Sequence, residues 1–204
     1  MTVEHDDAVD LIGPDRLGQL KACVLGAWED WESHFQAILP MPSAVGLANI
    51  LREAVVQRVR AAFGDQAGVD IRDNVLGGRF LLILDSALVV QFRKLTKNFR
   101  TVNNPTAASD AFDRQESVEG FPALPRLTVG YQLSNYRTEL AGVYLAFLIG
   151  KECVWYHDLA TGESTLSIEF PDIEESAAEQ EAKEAEERRK TEAGHEDETG
   201  TEGV

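Results

Sequence analysis

The segment from residue 79 to residue 100 combines positive charge with aromatic rings. It holds five basic residues and a single acid, Asp85. Phe92 and Phe99 are interleaved there with the basic residues Arg93, Lys94, Lys97 and Arg100. This pattern suits contacts with phosphate groups and stacking on bases, so it favours nucleic-acid binding. The alternative is that the charges follow an edge strand and keep it from aggregating.

Asp85, Gln91 and Lys94 are the closest approximation in the chain to a metal-dependent nuclease site. Such a site needs carboxylates that converge on a cation, with a lysine nearby. Asp85 falls in a predicted tight turn, and Gln91 and Lys94 are an odd number of positions apart in a predicted strand. Residues at odd spacing point to opposite faces of a sheet, so we do not expect these three side chains to converge.

The chain carries no strong catalytic signature. It has no His-Glu-x-x-His helix, no Cys-x-x-Cys pair, no Gly-x-Ser-x-Gly elbow and no dinucleotide fingerprint. Of the four histidines, His5 and His195 fall in ends that we expect to be disordered, whereas His34 and His157 are expected to be structural. The sequence therefore predicts no catalytic residue, no metal site and no cofactor.

The net charge of −16 is unevenly distributed along the chain. From Pro171 to Val204 there are 13 acidic and 4 basic residues and no apolar stripe, which predicts a largely disordered acidic tail. The tail either only solvates the protein, or imitates nucleic-acid charge or occupies the basic segment. The rest of the chain is mildly acidic, which disfavours direct binding of polyanions.

The two cysteines, Cys23 and Cys153, lie far apart, and the start of the chain lacks the pattern of a secretory signal. Two distant cysteines in a chain without such a pattern predict a reducing, cytoplasmic compartment. Each cysteine falls on a predicted apolar face, where free thiols usually pack as small hydrophobes. The longest apolar run, Leu140 to Ile149, is much shorter than the roughly 20 residues that span a bilayer. We therefore predict no membrane span.

Two helices are predicted ahead of the basic segment. Apolar residues recur at three- and four-residue steps from Leu17 to Ile38, which predicts a helix of about six turns. A second helix is expected to begin after the N-cap residue Ser43 and to stop at Gly64. In the first helix, Trp28 and Trp31 either fill the core or anchor a partner.

The remaining patterns predict strands. Arg79 to Leu84 and Ala87 to Leu95 form a predicted β-hairpin, and Thr106 is expected to cap a short helix. The further predicted strands are Leu127 to Leu133, Leu140 to Ile149 and Glu152 to His157, with a fourth around Leu166. The predicted fold is therefore α+β with a mostly antiparallel sheet. We expect a flexible arm at residues 1–13, one domain at 14–170 and the acidic tail at 171–204.

Residues in and after the basic segment carry a family resemblance. The matching residues are Phe92-Arg93-Lys94-Leu95, Asn104-Pro105-Thr106, Phe112, Gln115, Leu127 to Leu133, Thr138 and Trp155. They resemble a group of small bacterial and phage proteins whose gene commonly lies beside one for a helix-turn-helix regulator fused to an ImmA/IrrE-type metallopeptidase domain. Such a pair looks like a toxin–antitoxin module of the Rosmer type. The resemblance covers residues 88 to 157 and implies that this chain is the small partner, the toxic or effector component.

We therefore expect a non-enzymatic protein that acts by binding the regulator. Its expected partner-binding residues are Arg93, Lys94, Lys97, Arg100, Asn104 and Thr106, with Trp28 and Trp31 as a second candidate surface. One alternative is an effector that binds or cleaves nucleic acid through the basic segment. The other is a phage-encoded adaptor without toxicity.

Overall fold

The computed structural model describes residues 2–38, 42–76, 78–101, 106–135 and 137–166. The chain divides into two units, Met1–Ile168 and Glu169–Val204. The second unit lies wholly outside the described residues, and so does the predicted acidic tail at 171–204.

Three α-helices precede the sheet in the part of the chain that the structure describes. They are α1 (His5–Ile12), α2 (Pro14–Asp30) and α3 (Ala44–Phe63). The predicted cap of α3 is confirmed, because the Ser43 hydroxyl accepts a hydrogen bond from the backbone N–H of Gly46 at 3.0 Å. Helices α2 and α3 pack side by side, and the Arg58 guanidinium donates two bonds of 2.8 Å to the Asp30 carboxylate. The Arg58 guanidinium lies over Gly26, where an added Cβ would be 2.2 Å from it, so a larger residue at this position would displace the guanidinium.

The prediction of a flexible arm at residues 1–13 is wrong, because most of that segment is α1. Ala8 and Ile12 are buried on one face of α1, with 0% and 3% of their surface exposed. Gly13, at φ 78°, ends α1, and Pro14 starts α2 at once. Ala8 and Ile12 are four positions apart and so lie on one helical face. Two apolar residues are a weak periodic signal, and acidic neighbours hide it.

The first predicted helix ends earlier than expected. The α-helical geometry of α2 stops at Asp30 and is followed by a π-helical turn at Trp31–Phe35. A π turn contains more residues than an α turn, so it shifts the phase of the apolar stripe. Phe35 and Ile38 therefore leave the core face and are 44% and 82% exposed.

In the described residues, seven strands form one sheet in chain order. They are β1 (Val69–Val75), β2 (Arg79–Leu84), β3 (Leu88–Lys94), β4 (Arg126–Leu133), β5 (Leu140–Ile149), β6 (Glu152–Asp158) and β7 (Ser164–Leu166). All neighbouring pairs are antiparallel except β3 and β4, which run parallel. The segment between β3 and β4 contains the short helix α4 (Ala107–Asp113). The predicted α+β class and the mostly antiparallel sheet are confirmed.

The sheet separates two apolar clusters. On one face, α1, α2 and α3 bury the main core, to which the sheet contributes alternate residues such as Leu82, Val90 and Val129. On the other face, Phe112 of α4 packs with Leu81, Ile83 and Val89. Strand alternation explains the division, because successive side chains point to opposite faces.

Candidate functional site

The segment that follows β3 is held tightly against the sheet. The Leu95 N–H donates to the Tyr131 carbonyl at 2.8 Å, and the Thr96 N–H donates to the Arg100 carbonyl at 2.9 Å. Leu95 also forms an isolated antiparallel bridge with Thr101. We call residues 95–101 the basic loop. Its ends are joined by backbone bonds, so it has the defined shape that a binding surface requires.

Two buried side chains anchor the basic loop. Leu95 lies on Gly130 of β4, where an added Cβ would be 2.1 Å from a Leu95 methyl carbon. Phe99, at φ 55°, stacks on Tyr156 with ring centroids 4.1 Å apart, and Tyr144 meets it edge-on at 4.9 Å. Phe99 is only 7% exposed. Its ring is therefore part of the packing, and the stacking platform expected for nucleic-acid bases is occupied internally.

The charged side chains of the basic loop face outward. Lys97 and Arg100 are both exposed. Lys94, the last residue of β3, is half-buried, and burial together with the nearby charge of Arg137 lowers its pKa. Arg137 lies in the turn after β4, and β4 is tied to the loop by the Gln132 amide, which donates to the Thr96 carbonyl at 2.8 Å. We call the two exposed charges of the loop, Lys97 and Arg100, the basic surface.

Arg93 lies on the opposite face of the sheet from Lys94. The register that pairs Leu81 with Gln91, continued for two residues, brings Arg79 opposite Arg93. Burial lowers the pKa of Arg93, as does the charge of Arg79, and Asp113 opposes this effect. The structure therefore separates Arg93 from Lys94 and places it near the buried charges of Arg79 and Asp113.

A buried polar network occupies the sheet face beneath α4. The Arg79 guanidinium donates two bonds of 3.0 Å to the Asp113 carboxylate and one of 2.7 Å to the Gln91 side-chain oxygen. The Gln91 amide in turn donates to the Thr128 hydroxyl at 3.0 Å. Sequence reasoning missed this network. The sequence does contain a signal for it. Arg79 is two and four positions from Leu81 and Ile83, so it shares their sheet face, the one that α4 covers.

Phe112 of α4 lies between two arginines of the same network. The guanidinium carbons of Arg79 and Arg126 are 4.7 Å and 4.5 Å from the centroid of its ring. Arg126 also donates to the Phe112 carbonyl at 2.8 Å and to the Glu116 carbonyl at 2.7 Å. Gln115 donates to the Arg126 and Leu148 carbonyls at 2.8 Å and 3.0 Å. Phe112 and Gln115, two residues of the family resemblance, thus join α4 to the sheet.

Three of the remaining predicted binding residues, Trp28, Trp31 and Thr106, have structural roles in the fold. Trp28 and Trp31 are 8% and 3% exposed in the main core, so they are excluded from a partner surface and the core interpretation holds. Thr106 caps α4: its hydroxyl accepts from the Ser109 N–H at 3.1 Å, and the Ser109 hydroxyl accepts from the Thr106 N–H at 2.9 Å. Asn104 lies outside the described residues.

The three residues considered for a nuclease site do not converge. Asp85 pairs with Arg16 in the turn between β2 and β3, which lowers the pKa of its carboxyl. Gln91 is buried in the network on one sheet face, and Lys94 belongs to the other face. The part of the chain that the structure describes also holds no cluster of three or more His, Cys, Asp or Glu side chains arranged for a metal ion.

A groove of about 560 Å³ lies along α1 and is lined by residues Thr2, Val3, Glu4, Asp7, Asp10 and Leu11. None of these residues belongs to the basic surface. Over the described ranges, no helix has both the length and the apolarity needed to cross a membrane. Comparison with protein-family models, with curated proteins and with solved structures finds no match.

Proposed function

We propose that this protein acts by binding another protein, and that the basic surface is where the partner docks. The observation that carries the proposal is the contrast within the basic loop. Leu95 and Phe99 fix the loop to the sheet, while Lys97 and Arg100 of the same loop are exposed at the surface. Charged groups on an ordered loop steer association and select a partner of opposite charge.

The partner that fits the proposal best is the regulator of a two-gene module, acting in the cytoplasm. The resemblance described above supports this choice, because residues 88–157 include both the basic loop and the contacts that fix it. In this proposal the chain is the small, toxic or effector component of a toxin–antitoxin module. The regulator would present an acidic surface to Lys97 and Arg100.

The first experiment is inducible expression of the chain in a bacterial host, with and without the adjacent regulator gene, followed by co-purification. Growth arrest that the regulator relieves, together with a purified complex, supports the proposal. Normal growth and no complex would overturn it, and a phage-encoded adaptor would then become the better interpretation.

A charge-reversal experiment locates the surface. The double variant Lys97→Glu with Arg100→Glu is expected to slow association with the regulator about tenfold at low salt and much less at high salt, because screening weakens steering. The matched control is Arg72→Glu with Lys151→Glu, which reverses two exposed charges outside the basic surface. Equal association rates for the two double variants would exclude the basic surface as the docking site.

Nucleic acid is the second ligand to be tested at the same surface. A nucleic-acid ligand predicts that binding falls steeply as salt rises, and that unrelated oligonucleotides bind without the regulator. The internal packing of Phe99 removes the stacking contribution that would make such binding strong.

A further inference from the structure

Helix α1 is joined to the sheet by a pair of histidines. The Nε2 atom of His5, the first residue of α1, is 3.2 Å from the Nδ1 atom of His157 on β6. The His5 ring also meets Trp155 edge-on, with centroids 5.4 Å apart. The Trp155 indole N–H donates to the Val3 carbonyl at 2.9 Å, so the backbone just before α1 is held at the same place.

The contact between the two imidazoles depends on their protonation. A hydrogen bond between two ring nitrogens needs one N–H group and one lone pair. At least one ring must therefore be neutral. When both rings are protonated, each nitrogen is a donor, and two positive charges face each other across the same gap.

The surroundings of the pair favour the neutral state of His157. Burial and the neighbouring His5 lower its pKa, whereas Asp158 raises it by a smaller amount. The residues opposite His157 in the sheet, Leu145 on β5 and Ser164 on β7, are uncharged. On α1, the His5 Nδ1 atom is 2.7 Å from the Asp6 carboxylate, and the helix contains no lysine or arginine.

We propose that His5 and His157 form a pH-sensitive latch, which holds α1 on the sheet at neutral pH and releases it when both rings are protonated. The sign follows from linkage. His157 binds its proton less readily when α1 is docked. Docking is therefore favoured above the ordinary imidazole pKa of about 6.5 and is weakened as the pH falls below that value. Release uncovers Trp155, which is 2% exposed in the docked state, and the part of the core that Ala8 and Ile12 cover.

The indole N–H resonance of Trp155 reports directly on docking, because its acceptor is the Val3 carbonyl. Two-dimensional ¹H–¹⁵N NMR of the full chain from about pH 8 to about pH 5 covers the range in which imidazoles titrate. The docking equilibrium is expected to weaken by up to about tenfold per pH unit for each proton taken up. The Trp155 signal moves as α1 leaves, and the amides of His5–Ile12 lose protection from hydrogen exchange after correction for intrinsic pH dependence.

Two variants and one control test the cause. His157→Gln and His5→Gln each remove one of the two imidazole rings and keep groups that can hydrogen-bond, so the acid transition is expected to disappear in both. In the control His34→Gln the transition remains, because His34 contacts the Asp30 carbonyl and is not part of the pair of His5 and His157. An unchanged transition in both test variants would overturn the proposal. So would a wild-type Trp155 signal that stays at its neutral-pH position throughout the range.

Discussion

Arg79 and Asp113 form a two-pronged ion pair that joins the start of β2 to the end of α4. Both donor–acceptor distances are 3.0 Å, and the two side chains are 6% and 14% exposed. We call the segment that joins β3 to β4 the crossover, and the pair is a charged contact between this crossover and the sheet. Since the same crossover carries the basic loop, the pair helps to fix the segment from which Lys97 and Arg100 project.

Removal of one partner leaves the other charge buried. Asp113→Ala is therefore expected to lower the free energy of unfolding by about 3 kcal/mol, measured by urea denaturation. Replacement of both partners by apolar residues, Arg79→Met with Asp113→Leu, should recover most of that loss, because no buried charge remains. Arg72→Gln is the control, since its pair with Asp70 is solvent-exposed and removal is expected to cost less than about 1 kcal/mol. A loss of similar size for Arg72→Gln and Asp113→Ala would contradict the assignment.

Gly130→Ala tests the packing of the basic loop on β4, where Leu95 lies against Gly130. The new methyl group would overlap Leu95, which is 2% exposed, so the loop has to shift and stability is expected to fall by about 1–3 kcal/mol. The second substitution Leu95→Ala in the same chain removes the overlap but also removes packing, so it should relieve the clash only in part. Gly18→Ala is the matched control, because nothing lies within 4 Å of its added Cβ in α2. That change is expected to raise stability by about 0.5–1 kcal/mol, since alanine is the better helix former.

Thr106→Ala separates capping from binding. Loss of the N-cap hydroxyl should destabilise the protein by about 1 kcal/mol, and Thr106→Asp should retain most of the stability because aspartate also caps helices. Thermal unfolding measures both effects. The association rate with the partner is expected to be the same in all three proteins. A slower association for Thr106→Asp at unchanged stability would return Thr106 to the binding surface.

Both cysteines should resist alkylation in the folded protein. Burial raises the pKa of Cys153 to about 12 and also raises that of Cys23, so the reactive thiolate is scarce at neutral and mildly alkaline pH. Mass spectrometry after treatment with iodoacetamide near pH 8 is expected to show little modification without denaturant and two modified cysteines in guanidinium chloride. Rapid labelling of Cys153 in the native state would show that β6 opens more readily than its packing indicates.

The ion pair between α2 and α3 predicts a loss of stability in acid. Hydrogen bonds from Arg58 lower the pKa of Asp30 in the folded state. A carboxyl whose folded pKa is depressed contributes stability above its unfolded pKa of about 4, and this contribution disappears as the pH falls through the folded value. Arg58→Gln should therefore flatten the acid limb of a plot of stability against pH. An acid limb of unchanged slope in that variant would assign the pH dependence to other carboxyls.

The sequence predicted the elements that have strong local signals. Ser43 and Thr106 cap helices as expected, and the hairpin from Arg79 to Leu95 corresponds to β2 and β3. Strand β1 was not predicted, because Asp73 occupies the position where the alternation that Val69 and Ile71 begin requires a third apolar residue. An edge strand carries charge on its open side, so its sequence resembles that of a loop.

The candidate site was predicted only in part. Net charge identified the basic segment, but charge alone does not show which side chains face solvent. Arg93 points into the network beneath α4, whereas Lys97 and Arg100 lie on a loop whose shape depends on contacts of Phe99 with β5 and β6. Those contacts join residues distant in the chain and leave no periodic signal. The same reason explains why His5 was assigned to a disordered end although it meets His157 in the fold.

The parallel pairing of β3 with β4 is the one pairing in the described sheet that a short turn cannot make. Every other neighbouring pair is joined by a short turn, whereas Val89 meets Arg126 only after the whole crossover has closed. Local hairpins form before distant strands meet, because closing a long loop costs entropy. We therefore expect strands β1–β3 and β4–β7 to assemble locally and the pairing of β3 with β4 to be the slow step. The basic loop takes its shape from contacts with β4, such as that of Leu95 with Gly130. The basic surface is therefore expected to form only when β3 and β4 have paired.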